Sequence, residues 1–431
     1  MLTRRAFLNL GGFGVTLASG CRPANFPELL AAKEGKISHL ALARKARQAR
    51  FKKRLLGYPI NMTPPPQEFF AWREQLRQAG IGEFAYNNAG SPYKPSTIAF
   101  NTHEFERALN AHFGKMYGFP PGDVWGFLSH SGTDSNMHGM YMGRTLLKGR
   151  TGVVPKCYFT KEAHYSIQVL CDLLGLEAVW VEALPDAAMD PDDLRRKLAA
   201  NADRPALVVA TVGTTFKGGI DPIDTIQEVL QESGIPSYLH LDAALFGGYL
   251  PYTSRAAELL HSANGRKRYD SLAVSCHKFF GFPAPAGIFL TTQSHFEEFL
   301  AFYGQVHNPE YIGHVPGTIT CSRDAVKPAE FYFFTTPEAK ARQAQDARAM
   351  LEQADYLFEQ LQSRFPKLCP KRANEVSNTI YFYRPSAWIV RKYALATMRL
   401  EGREFAHAVV MPHVDRQVLD EFLADLAKDV G

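Results

Sequence analysis

The chain has few of the residues that hold together small or metal-organised scaffolds. Six cysteines occur in 431 residues (Cys21, Cys157, Cys171, Cys276, Cys321 and Cys369), with no C-x-x-C pair and no zinc-type spacing among them. A disulfide-framed or zinc-built architecture is therefore not expected, and any pairing of these thiols stays open. The fourteen histidines contain no H-E-x-x-H run or comparable cluster, so no metal is expected. No apolar run reaches the roughly 20 residues of a membrane-spanning helix. The formal charge is only +5, part of it in the first segment. With no nucleic-acid motif and no basic stripe interleaved with aromatics, a nucleic-acid partner is not expected either. There is no internal repeat. What the chain does have is apolar content: 46% over this length is enough for a sizeable core, divided between two lobes.

Two short apolar runs end in charged residues. Residues 271–275 read as a buried strand leading into His277-Lys278, and residues 237–241 as another that closes on Asp242. A lysine and an aspartate at two such strand ends suggest one crevice at the carboxyl edge of an α/β sheet. The pair suits pyridoxal phosphate. An amine can hold the cofactor's aldehyde as a Schiff base, and a carboxylate can keep the pyridine nitrogen protonated. Singly, the lysine reads as a surface residue and the aspartate as a helix cap; their neighbours decide the matter.

Residues 125–136, Trp-Gly-Phe-Leu-Ser-His-Ser-Gly-Thr-Asp-Ser-Asn, run from an apolar strand into a small, hydroxyl-bearing turn, with a helix expected from about Asn136 to Leu147. Such a helix start is an anion site, and Ser131 and Thr133 can add hydroxyl donors to a phosphate. Equally, these are ordinary N-cap residues. His164, in Thr-Lys-Glu-Ala-His-Tyr-Ser, sits at another strand-to-helix junction, where an imidazole can stack on an aromatic cofactor or serve structure alone. Residues 207–215 read as a buried strand ending in the polar loop Gly213-Thr214-Thr215. His240-Leu241-Asp242 also resembles a pair of metal ligands, but the cofactor reading of Asp242 explains it better.

In order and spacing these motifs resemble the group II pyridoxal-phosphate decarboxylases of amino acids, with the nearest likeness to bacterial pyridoxal-dependent histidine decarboxylases. The likeness runs from about Leu55-Leu56-Gly57-Tyr58-Pro59 to the C-terminus. It includes Phe100-Asn101-Thr102, Phe105-Glu106, Trp125-Gly126, Ser135-Asn136-Met137, Ser166, Gly213-Thr214-Thr215, Thr318-Ile319-Thr320 and Ser322-Arg323. The resemblance implies an α/β chain of fold type I, with an aspartate-aminotransferase-like large domain built on a mainly parallel sheet and a smaller C-terminal α+β domain. It makes Lys278 the Schiff-base lysine, Asp242 the pyridinium partner and His164 the ring-stacking histidine. Ala244 would pack on the opposite ring face, and Gly132, Thr133, Ser275 and His277 would line the phosphate together with Ser131. A histidine directly before the lysine is usual in this decarboxylase group and not in aminotransferases of the same fold. The sequence departs from the pattern at Ser131 (usually glycine), at Asp134 (usually glutamate), at His138, at Phe246-Gly247 and in residues 324–327. These departures bear on the substrate more than on the cofactor.

The implied activity is decarboxylation of an L-amino acid to its amine and carbon dioxide, with histidine to histamine as the lead. The alternatives are another aromatic or modified amino acid, or a non-catalytic pyridoxal-binding protein of the envelope. The intact Lys278, Asp242 and Tyr311 speak against the last. Tyr311 lies in the polar, glycine- and proline-marked segment 302–314, which reads as a lid. In related decarboxylases a lid tyrosine from the neighbouring subunit protonates the carbanion, so the resemblance implies a homodimer with shared active sites. Tyr311 reads equally as an ordinary loop aromatic.

At the N-terminus, Thr3-Arg4-Arg5-Ala6-Phe7-Leu8-Asn9 resembles a twin-arginine export motif, followed by a weakly apolar stretch to Gly20. The expectation is export by that route to a periplasmic or envelope-anchored location, with lipidation of Cys21 left open. A basic tract follows (Arg44, Lys45, Arg47, Arg50, Lys52, Lys53, Arg54) and reads as a helix docking by its apolar side; attraction to an anionic membrane surface is the alternative. After the Pro64-Pro65-Pro66 hinge comes a helix from Gln67 to Gln78. The expected divisions are a signal at 1–21, a basic helix, linker and dimer-wrapping arm at 22–90, a large cofactor domain at 91–310, and a catalytic loop with a small domain at 311–431. Tyr58, Asn87 and Asn88 are candidate substrate contacts or, equally, turn and capping residues.

Overall fold

The computed structural model describes residues 39–260 and 269–430. The export motif and Cys21 lie outside the described residues. From Lys53 onward the chain is one compact unit carrying two sheets; the helix His39–Ala49 belongs to a separate, preceding unit.

The large sheet holds seven strands: β1 (Trp125–Ser129), β2 (Lys156–Thr160), β3 (Glu177–Val181), β4 (Ala206–Thr211), β5 (Ser237–Asp242), β6 (Ser271–Ser275) and β7 (Gly287–Thr291). Their order is β1-β7-β6-β5-β4-β2-β3, and β7 alone runs against its neighbours. The central strands are buried along nearly their whole length because helices cover both faces. Along β4, Leu207 and Val209 join Tyr238 and Phe159 in one apolar cluster, while Val208 and Ala210 join Leu239 and Leu241 in the other. Period-two alternation thus feeds two cores from one continuous apolar run. The small sheet, β8 (Thr379–Tyr383), β9 (Ala396–Leu400) and β10 (Arg403–Val409), is antiparallel in the order β8-β10-β9. Beside it runs the 28-residue helix Pro337–Arg364. Thr336 caps that helix by accepting the Ala339 amide, and Pro337 sits at its first turn, where no amide is needed.

The helix Gln67–Gln78 matches the sequence reading. Two expectations need correction. The helix expected at 136–147 spans Gly132–Thr151, because Ser131 accepts the Asp134 amide and starts it four residues sooner. In the segment read as a lid, Phe302 and Tyr303 complete the helix Gln293–Tyr303, and Tyr303 is buried. In the basic helix His39–Ala49, residues 41–49 are exposed.

The helix Gly132–Thr151 lies on the sheet along a face of small residues. A Cβ on Gly139 would stand 2.3 Å from the His240 ring, and one on Gly143 would stand 2.6 Å from Tyr238. Alanine in a helix normally gains about 0.5–1 kcal/mol over glycine. Here forced overpacking, which costs about 1–3 kcal/mol, outweighs that gain. Gly139→Ala should therefore lower unfolding stability by about 1 kcal/mol or more, read as a reduced denaturant midpoint; an unchanged or raised midpoint would contradict this packing.

Candidate active site

A cavity of about 220 Å³ opens at the carboxyl ends of β4, β5 and β6, beside the turn that follows β1. It is lined by Ser131, Gly132, Thr133, His164, Asp242, Ala244, Ser275, His277 and Lys278, so the structure brings together all nine expected cofactor contacts. The register explains the convergence. Thr211, Asp242 and Ala273 lie abreast on β4, β5 and β6, so the residues just beyond emerge side by side.

Each wall has a local cause. Ser131 Oγ accepts the Asp134 amide at 3.2 Å, and Asp134 Oδ2 accepts the His130 amide at 2.9 Å. The first amides of the helix, at Gly132 and Thr133, have no partner within the helix, as at any helix start, and offer an anion site. Gly132 admits no side chain: a Cβ there would lie 2.5 Å from Ser275 Oγ and 3.3 Å from Ala244 Cβ. On the opposite wall His164 Nδ1 accepts from the Ser166 amide at 3.3 Å and lies 2.8 Å from Ser166 Oγ. The proton of the neutral ring therefore resides on Nε2.

Lys278 is half-buried in the cavity wall. Burial pushes its amine below the ordinary lysine range, and the Asp242 carboxylate partly opposes the shift. Burial also lowers His164, with Asp242 raising it and Lys278 lowering it further. His277 is lowered by burial and then by the charge of Lys278. Asp242 Oδ1 is held by the Ala244 amide at 3.1 Å. Two buried polar atoms in the cavity wall, Thr211 Oγ1 and His277 Nδ1, have no hydrogen-bond partner. Buried polar groups are rarely left so, and their position marks room for a polar ligand. A helix-start anion cup, a buried amine beside a carboxylate, an imidazole wall and orphaned donors together fit pyridoxal phosphate.

Sequence reasoning assigned no role to Asn136, Ser166, Thr211, Gly213, Thr215, Leu245 and Pro285, which also line the cavity. Thr211 was the most accessible of these, since it ends a buried strand as Asp242 does. Tyr311, Tyr58, Asn87 and Asn88 are placed away from the cavity. Tyr311 is 78% exposed and Tyr58 half-exposed. Asn88 is buried, donating to Thr102 Oγ1 at 3.0 Å and accepting the Thr102 amide at 2.7 Å. Asn87 donates to Ser322 Oγ and accepts the Arg323 amide. Arg323 itself is buried, pairing with Glu106 at 2.7 Å and donating to Gly90 O.

Fold and site together define a pyridoxal-phosphate enzyme of fold type I. Residues 146–372 match the pyridoxal-dependent decarboxylase conserved domain. The chain is 33% identical over 347 residues to a histidine decarboxylase of Pseudomonas entomophila (strain L48), covering 80% of this chain and 81% of that protein. It is 31% identical over 397 residues to serine decarboxylase 1 of Oryza sativa subsp. japonica, covering 91% and 75%. L-methionine decarboxylase from Streptomyces sp. 590 shares the fold, with a TM-score of 0.77 at 23% identity over 93% of this chain and 97% of that one. The protein belongs to the group II pyridoxal-dependent decarboxylases and is a carboxy-lyase acting on an amino acid.

His240, weighed above as a metal ligand, is a buried strut. Its Nδ1 lies 2.7 Å from Ser271 Oγ and its Nε2 lies 3.0 Å from Oδ1 of Asn136, a cavity residue. No group among the described residues could hold a metal ion. Burial pushes the His240 ring down to about 4, with Asp242 opposing. The unfolded chain titrates near the ordinary histidine value of roughly 6.5, so between there and 4 it binds a proton that the folded ring refuses. Stability from this group is therefore full above that window and is lost as pH falls. The loss by pH 5 should be about 2 kcal/mol. His240→Gln should flatten the decline in unfolding free energy between pH 7 and pH 5; a slope identical to wild type would refute the assignment.

Proposed function

We propose that this decarboxylase acts on L-histidine, releasing carbon dioxide and forming histamine. The likeness to histidine decarboxylases supports that substrate. A second reading, another small or modified amino acid, is favoured by the comparable identity to a serine decarboxylase. The observation that carries the mechanism is the half-buried Lys278 amine with Asp242 in the same cavity.

The residues divide the work. Pyridoxal phosphate bound here supplies an electron sink for the pair left behind when the α-carboxylate departs. Burial favours the neutral Lys278 amine, the form that attacks a carbonyl, so Lys278 would hold the aldehyde. Asp242, fixed by the Ala244 amide, would keep the ring nitrogen protonated. His164 would stack on the ring, while Gly132, Thr133, Ser131, Ser275 and His277 would hold the phosphate. Tyr311 would return a proton to the α-carbon. Its segment is fastened by the backbone, with Thr97 Oγ1 donating to Tyr311 O at 3.3 Å and the Ser91 amide donating to His314 Nε2 at 3.1 Å, while its ring stands in solvent. That outward presentation supports donation to a neighbouring subunit's cavity in a homodimer. Tyr58, half-exposed and upstream of the large domain, remains a proposed substrate contact.

The test is carbon dioxide release across the L-amino acids from cofactor-loaded protein, with borohydride fixation of the cofactor. Histidine should lead by roughly tenfold or more in kcat/KM, the lower end of what differing pocket contacts supply, and the label should sit on the Lys278 peptide. Preference for serine would move the assignment to the second reading, and a label on another lysine would overturn the role of Lys278.

We propose in addition that the protein is exported folded through the twin-arginine route to the periplasm or envelope, on the strength of Arg4-Arg5 and the weakly apolar stretch that follows. Arg4→Lys with Arg5→Lys keeps the charge and removes the recognised pair. The double variant should retain cofactor-loaded enzyme in the cytoplasm, as read by cell fractionation; normal delivery would rule this route out.

A further inference from the structure

Two loops border the cavity on the side of His164, and one ion pair joins them. The first connects β2 to the helix Ser166–Leu173 and carries Glu162, two residues before His164. The second follows β4, supplies Gly213 and Thr215 to the cavity wall, and carries Lys217. Lys217 Nζ lies 2.5 Å from Glu162 Oε1, with both side chains under one-fifth exposed at 18% and 16%. So sheltered a pair is screened far less than a surface contact.

The second loop is itself held from elsewhere. It closes internally through the Gly213 and Thr214 amides on Gly219 O, at 3.0 and 2.9 Å, and through the Gly219 amide on Thr214 Oγ1 at 2.8 Å. Outwardly, Phe216 stacks on His407 of β10, with ring centroids 4.5 Å apart, and Phe216 O lies 2.9 Å from His407 Nδ1. Asn374 donates to Gly218 O at 3.1 Å, and a Cβ on Gly218 would strike Ser377 Oγ. The small sheet therefore grips this loop, and Lys217 is the side chain through which the loop reaches the segment carrying His164.

We propose that Lys217 and Glu162 are a positioning pair: their contact fixes His164 and Thr215 on the cavity wall and makes the placement of His164 depend on the seating of the small sheet. This rests on the reading that the cavity holds pyridoxal phosphate against His164. Neither residue touches the reacting atoms. Their effect should therefore appear in how the cofactor is held, through its affinity and the asymmetry of its surroundings.

The experiment uses the full-length protein loaded with pyridoxal phosphate and measures the cofactor's dissociation constant and visible circular dichroism. Lys217→Met and Glu162→Gln should each weaken cofactor binding roughly tenfold, the lower range for loss of a charge-assisted hydrogen bond, and diminish the visible band. The double variant should be no worse than either single one, and the exchange Glu162→Lys with Lys217→Glu should recover most of the loss. Single variants that bind cofactor as wild type does, with the same band, would overturn the proposal. So would single losses that simply add in the double variant. A wild-type protein that takes up no cofactor would instead sink the underlying reading of the cavity, which distinguishes the two failures.

Discussion

The constraint on which the rest of this structure depends is the enclosure of one amine. Taking a lysine amine largely out of water disfavours its charged form, and the compensation on hand is the carboxylate of Asp242. Such an arrangement survives only where the surrounding backbone cannot relax to let the side chain out. The seven-stranded sheet provides that rigidity. Strands buried on both faces leave no freedom of register, so the strand ends behind Thr211, Asp242 and Ser275 are fixed relative to one another. The glycines of the helix Gly132–Thr151 serve the same end by letting it settle close on the sheet and bring its amides to the cavity rim.

Much of this was readable from the chain because it is encoded locally. Residues 271–275, 379–383 and 67–78 are uninterrupted runs or amphipathic patterns with clear stops. Lys278 and Asp242 stand at the ends of such runs, where an α/β sheet places its chemistry. The early start of the helix at Gly132 was hidden because Thr133-Asp134-Ser135 are weak helix formers whose side chains compete for backbone groups. There the N-cap bond from Ser131 prevailed over propensity. Tyr303 looked like lid because the glycine and proline that follow it dominate the window, yet burial of its ring keeps it helical.

Other features had no local signature at all. Asn88 reads as a polar loop residue and proves to be a buried brace for Thr102. The pairing of Lys217 with Glu162 spans 55 residues and rests on the small sheet folding back over a loop of the large one. Such contacts depend on topology and are invisible to any window of sequence. Tyr311 poses a different difficulty, since its ring is exposed to solvent and does not line the cavity.

The reversed strand β7 has one more consequence. Parallel neighbours demand a crossover of a dozen or more residues, whereas antiparallel ones can be joined by a tight link. Because β7 runs backward, the stretch from Cys276 to Ala286 leaves β6 and returns at the same edge, closed by the Cys276 amide on Ala286 O at 2.9 Å. Lys278 therefore rides on a short staple anchored at both feet, and Gly287, where the return is made, lies against the Ser131 backbone of the anion cup. The reactive amine and the phosphate cradle are thus surveyed from a single fixed point, so a shift in one cannot occur without displacing the other.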